Sequence, residues 1–207
     1  MRAIIPTILE KNINEFKKRL KIAELLSKRI QIDVADGKFV KNKTIGIKEL
    51  KKIKSKSKIE YHLMVQNPEK YIDVLSKNAD LITVHIEIRN PEKYIDKIAK
   101  KGLKVGIAIN PKTNPKKLIP VMKKVKKVIV LTVSPGWQGR KFFPPALKKI
   151  RVIKKMNKKV IVQVDGGINE KTINLAEKAG ADEFVVGSAI VKAENPKKEY
   201  EKLKNGA

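Results

Sequence analysis

Residues 159–188, KVIVQVDGGINEKTINLAEKAGADEFVVGS, decide the fold. The stretch opens on a short, β-branched apolar run at 160–164, which Asp165-Gly166-Gly167 breaks. A helix-period segment follows. Gly180 ends it, and a second apolar run at 183–186 closes on Gly187-Ser188. Near-continuous apolar runs, rather than polar/apolar alternation, are what parallel strands covered on both faces require. The stretch therefore reads as strand, glycine turn, helix, strand.

The same alternation extends outward over the chain. Further strand candidates lie at 3–5, 30–34, 59–64, 81–86, 104–109 and 128–133. Between them, Asn12 reads as the N-cap of a helix over 13–26, with Glu15 in the capping-box position. Asn67-Pro68, Asn90-Pro91, Asn114-Pro115 and Asn195-Pro196 each read as a cap residue followed by proline at the first helical position. Gly102, like Gly180, is placed to end a helix just before a strand. Eight strand-then-helix units in 207 residues predict an α/β fold, a (β/α)8 TIM barrel forming one domain over 1–207. A doubly wound sheet is the competing architecture, but no G-x-G-x-x-G turn follows the first strand.

Composition narrows the function. Hydrophobic residues make up 42% and charged residues 33%, which excludes a disordered chain. No apolar run approaches the ~18 residues of a membrane span, and Pro6 breaks the opening too early for a signal peptide. With no cysteine there is no disulfide and no thiolate metal site, and a cytoplasmic location is the default. The formal net charge is +27. Its arginines are Arg2, Arg19, Arg29, Arg89, Arg140 and Arg151, and the other basic residues are lysines spread along the chain. Diffuse lysine charge points to non-specific nucleic-acid binding at most, and it would draw in an anionic substrate.

In such a barrel the chemistry sits at the C-terminal ends of the strands. The residues there that can carry chemistry are Thr7, Gln31 and Asp33, His62 with Met64 beside it, His85 and Glu87, Thr132, Asp165 and Ser188. Gln31 and Asp33 share one strand face, the barrel interior if Asp33 is catalytic, and Ile30, Ile32 and Val34 then face the helices. Buried aspartates are costly unless paired or liganded. His62 with Asp33 and Asp165 suits a divalent metal with nitrogen and oxygen ligands. His85 reads as a satisfied structural histidine, since spacing offers it no partner. Glycines at Gly166, Gly167 and Gly187, beside Ser188, suit a phosphate cup on strands seven and eight.

These residues resemble the ribulose-phosphate 3-epimerase family, in order, through nearly the whole chain. Ile5-Pro6-Thr7-Ile8-Leu9 resembles the family's Ala-Pro-Ser-Ile-Leu opening. Residues 31–42 resemble its His-x-Asp-Val-Met-Asp-Gly-x-Phe-Val-Pro-Asn signature. His62-Leu63-Met64-Val65 and His85-Ile86-Glu87 match further segments, and 132–142 resemble Thr-Val-x-Pro-Gly-Phe-Gly-Gly-Gln-x-Phe. Val164-Asp165-Gly166-Gly167-Ile168 and Val186-Gly187-Ser188-Ala189-Ile190 match closely.

The resemblance implies an isomerase of the pentose phosphate pathway, commonly oligomeric, that interconverts D-ribulose 5-phosphate and D-xylulose 5-phosphate. It implies Asp33 and Asp165 as an acid/base pair working through an enediolate. With His62 they would also ligate one divalent metal ion, Zn, Fe, Mn or Co. Thr7, His62, Met64, the loop Gly136, Trp137, Gln138 and Gly139, and Gly166, Gly167, Gly187 and Ser188 would bind substrate. The chain departs from the pattern where Gln31 replaces a ligand histidine, where Ala35 and Leu131 replace methionines, and at Gln138 and Arg140. A neutral amide oxygen is a poor substitute for imidazole. Another ketose phosphate, a metal-independent variant, or a non-catalytic sugar-phosphate or nucleic-acid binding barrel remain as alternatives.

Overall fold

The computed structural model describes residues 1–137 and 139–206. Among them, eight strands close into one barrel in chain order: β1 (Ala3–Ile8), β2 (Arg29–Ala35), β3 (Lys58–Met64), β4 (Leu81–His85), β5 (Lys104–Ile109), β6 (Lys127–Leu131), β7 (Ile161–Asp165) and β8 (Glu183–Val186). Neighbours pair in parallel, including β8 with β1. This is the expected (β/α)8 barrel. The largest change of boundary is β1, which continues through Pro6. A central strand normally excludes proline, but β1 pairs with β2 only from Thr7 onward.

The strands are connected through α1 (Ile13–Leu26), α2 (Ile47–Leu50), α3 (Glu69–Leu75), α4 (Pro91–Lys100), α5 (Lys148–Met156) and α6 (Glu170–Lys178), with α7 (Ser188–Val191) and α8 (Pro196–Asn205) following β8. Asn12 caps α1 by accepting the N–H groups of Asn14 and Glu15, and Asn195 caps α8 by accepting that of Lys198. Two caps and one helix type differ from expectation. Pro68 is itself the N-cap of α3, while Asn67 reaches forward to the N–H of Glu69. Asn90 stands at the cap of α4 with φ 53° and caps nothing with its side chain. After β5 the expected α-helix is a 3-10 helix, Pro115–Val121. Pro120 lies inside it and has no N–H to give an α-helical ladder.

Ile30, Ile32 and Val34 are buried between sheet and helices, with Tyr61, Leu63, Ile82 and Val84 on neighbouring strands. The barrel interior carries a separate, small apolar layer of Ala108, Ile129 and Leu131. Gly106 belongs to this crowded interior, where a Cβ would overlap the Thr83 hydroxyl. No helix among the described residues is long and apolar enough to cross a membrane.

At the N-terminal end of the barrel four charged side chains form a closed ring. Arg29 lies 2.5 Å from Glu60 and 2.8 Å from Glu183, and Lys127 lies 2.5 Å from Glu60 and 2.7 Å from Glu183. Lys127, Glu60 and Glu183 are buried. Each cation meets both anions, so no buried charge in the ring is left uncompensated.

Candidate active site

At the opposite end the strand termini open into a cleft. It is lined by Thr7, Asp33, His62, Met64, Gly136, Trp137, Gly139, Arg140, Asp165, Gly166, Gly167, Gly187 and Ser188. Gln138 lies outside the described residues. Gln31 does not line the cleft but is buried directly beneath it, 1% exposed. The cleft floor needs Gly166: its φ is 114°, and a Cβ there would press into Val133.

The period-2 alternation of β2 and β3 aims Gln31, Asp33 and His62 into one spot, and β7 brings Asp165 to it. The carboxamide Nε2 of Gln31 donates to Asp33 Oδ1 and to Asp165 Oδ2, both at 2.8 Å. Thr7 Oγ1 donates to Asp33 Oδ2 at 2.9 Å. Nδ1 of His62 lies 3.0 Å from Asp33 Oδ1 and 3.5 Å from Asp165 Oδ2. Two carboxylates thus face one imidazole nitrogen and one amide.

The electrostatics follow from that crowding. Burial alone would lower the pKa of His62, but hydrogen bonds and charge from Asp165 and Asp33 outweigh it and push it to about 9. Asp165 is raised, by burial first and by the charge of Asp33, against the opposing pull of His62 and Gln31. His85 is lowered to about 4, chiefly by burial, with the charge of His62 adding to it and Glu87 opposing. Nδ1 of His62 faces the point between the two carboxylates.

That point also suits a cation. One ligand atom each from Asp33, His62 and Asp165 lies within 4.8 Å of the others. Hard carboxylate oxygens with one imidazole nitrogen match a divalent transition metal. Gln31 does not complete the set as it stands, for it turns N–H groups toward the carboxylates. Its Oε1 is buried without a partner, which is the lone pair an amide flip would turn inward.

The model of the ribulose-phosphate 3 epimerase family matches residues 3–191. The chain belongs to the ribulose-phosphate 3-epimerase family. The ribulose-phosphate 3-epimerase of Schizosaccharomyces pombe is 34% identical, over 98% of this chain and 92% of that protein. That of Bacillus subtilis is 33% identical, over 84% of this chain and 85% of the relative. Solved structures agree on the fold alone. The 3-hexulose-6-phosphate synthase of Salmonella typhimurium superposes with a TM-score of 0.74 at 18% identity, covering 99% of this chain and 97% of that one. KGPDC from Streptococcus mutans superposes with 0.73 at 14% identity, covering 100% and 97%.

Against the epimerase pattern, both residues that stand in place of methionine are buried. Ala35 packs with Val40 and Met64, and Leu131 packs with Ala108 and Ile129. His85 does have partners, which its spacing alone did not reveal. Its Nε2 lies 2.9 Å from Nε2 of His62, and its Nδ1 lies 3.1 Å from Glu87 Oε2. The signal was present in the sequence, because His85 and Glu87 stand two apart at a strand end and can turn the same way.

Proposed function

We propose that this protein is a cytoplasmic epimerase of the pentose phosphate pathway that interconverts D-ribulose 5-phosphate and D-xylulose 5-phosphate, its whole chain forming one barrel domain. The observation that carries this reading is the placement of Asp33 and Asp165. They come from β2 and β7, lie at the floor of one cleft, and are held by the same amide group.

Epimerisation at a carbon beside a carbonyl needs an acid and a base on opposite faces of that carbon. One aspartate takes the C3 proton, and the C–H electron pair moves toward the C2 carbonyl, giving an enediolate. The other aspartate returns a proton to the opposite face, and the carbonyl re-forms. Thr7 and Gln31 hold Asp33 through both of its oxygens while this happens. Asp33, His62 and Asp165 would hold a divalent cation (Zn, Fe, Mn or Co), which supplies positive charge to the enediolate oxygens. His62 and Met64 form the wall of the cleft, and Gly136, Trp137 and Gly139 belong to the loop that covers the sugar. The backbone at Gly166, Gly167, Gly187 and Ser188 takes the phosphate, with Arg140 on the same cleft adding charge. The active form is a homo-oligomer, and nucleic acid binds only non-specifically through the diffuse positive surface.

The test is turnover of D-ribulose 5-phosphate before and after chelation, then with each metal restored. Activity lost to the chelator and regained with metal is the expected result. Gln31 favours a second reading, because its amide already holds both carboxylates without a cation. Turnover indifferent to the chelator selects that metal-independent variant. No turnover under any metal removes the epimerase reading and leaves another ketose phosphate or a binding role.

A further inference from the structure

His62 is held on the side away from the cleft as firmly as on the side facing it. The His62 and His85 ring planes lie within 20° of each other, with centroids 5.0 Å apart. With 2.9 Å between the two Nε2 atoms, this is the tip-to-tip geometry of an in-plane N–H···N bond. Nδ1 of His85 points to Oε2 of Glu87 at 3.1 Å, and Oε1 of Glu87 accepts the backbone N–H of Asn110 at 2.8 Å. Both rings are fully buried, so water cannot substitute for any of these partners.

The direction of the chain follows from its far end. A backbone N–H only donates, and a carboxylate only accepts. Nδ1 of His85 therefore carries hydrogen toward Glu87, and the Nε2 of a neutral His85 ring is a lone pair. Nε2 of His62 must then be the donor between the two rings. On His62 this leaves Nδ1, the nitrogen facing Asp33 and Asp165, as the position free to exchange its proton.

We propose that Glu87 is a positioning residue which, through His85, fixes a proton on Nε2 of His62 and keeps Nδ1 available to a divalent cation between Asp33 and Asp165. It rests on the reading of those three residues as a metal-holding group. Ligating histidines commonly have the second nitrogen fixed by a carboxylate or a carbonyl, and here a second imidazole stands between ligand and carboxylate. Were His85 to carry its hydrogen on Nε2 instead, it would donate to His62. The proton of His62 would then sit on Nδ1 and block the ligand position.

Glu87→Gln tests the polarity while keeping the shape. Glutamine has one carbonyl oxygen, which the fixed N–H of Asn110 claims. Its NH2 group then faces Nδ1 of His85, and the chain reverses. The protein has two histidines. Histidine-selective 15N labelling and long-range 1H–15N spectra therefore read both rings directly. In the wild type, His85 is expected to be protonated at Nδ1; in E87Q, at Nε2. Titration with Mn or Co should show affinity lowered by about 10–100-fold in E87Q. Glu87→Asp keeps the carboxylate and should keep the wild-type tautomer. The same His85 tautomer in wild type and E87Q, equal affinity in the two, or an E87D protein that behaves like E87Q, would each overturn the proposal. A wild-type protein that binds no cation fails the metal reading instead, and the tautomer comparison still decides the direction of the chain.

Discussion

The two ends of the barrel solve the problem of buried charge in opposite ways. At the N-terminal end, two cations and two anions close into a ring in which every charge has two partners of opposite sign. At the C-terminal end, two aspartates converge on a single histidine and an uncharged amide, and burial first, then the charge of Asp33, drives Asp165 upward in pKa. The same strands build both: β2 supplies Arg29 to one and Asp33 to the other, and β3 supplies Glu60 and His62. Complete compensation gives a rigid, inert floor. Incomplete compensation leaves a site with affinity for a proton or a cation, which is what acid/base chemistry requires.

Four experiments test this contrast. The largest effect is expected at the uncompensated end. Asp33→Asn or Asp165→Asn should lower kcat/KM by about 10²–10⁴-fold in steady-state assays. The melting temperature should not fall, because a like charge is removed. Activity retained within about tenfold would remove that residue from the acid/base pair. At the compensated end the pattern should invert. Lys127→Met strands Glu60 and Glu183 in the interior and should cost about 3–5 kcal/mol in urea unfolding, with kcat of the folded protein unchanged.

Gln31→His replaces a neutral amide by imidazole and should tighten divalent cation binding by at least about tenfold in calorimetric titration. Unchanged affinity would mean that position 31 points its side chain away from the cation in the loaded protein. The smallest effect is an acid limit. Burial would raise Glu183, but the bonds from Arg29 and the charge of Lys127 outweigh it and hold it below its ordinary 4.5. A lowered folded pKa contributes stability above the unfolded value and loses it as pH falls through the folded value. Unfolding free energy should therefore hold steady down to about pH 4.5 on this account and decline below it, less steeply in the Lys127→Met protein.

Much of this was legible in the residues. Continuous apolar runs gave the position of all eight strands, because parallel strands buried on both faces leave no room for alternation. The convergence of Asp33, His62 and Asp165 was legible because polar side chains at strand ends stand out in apolar runs. The 3-10 helix at Pro115–Val121 was hidden because helix periodicity does not separate i+3 from i+4 bonding over seven residues. The charged ring was missed for another reason. Its members are single charges on four strands, separated by up to 154 residues in the chain, and each alone resembles a strand-edge residue. Yet the period-2 rule that paired Gln31 with Asp33 also places Arg29 inside, and Glu60 with His62. Similarly, the bridging role of Gln31 could not be read from type and position, since it depends on which amide atom faces the carboxylates.

The ring of Arg29, Glu60, Lys127 and Glu183 has one more consequence. With three of its four members buried, it fills the N-terminal mouth of the barrel, and Asp33 and Asp165 line the cleft at the other end. The route by which Asp33 and Asp165 trade a hydron with the solvent is then the cleft in which the substrate is proposed to bind. For the chemistry proposed above, isotope from heavy water enters the aspartates between turnovers rather than during one. The label found in a first-turnover product would then report how often the empty cleft was visited by water.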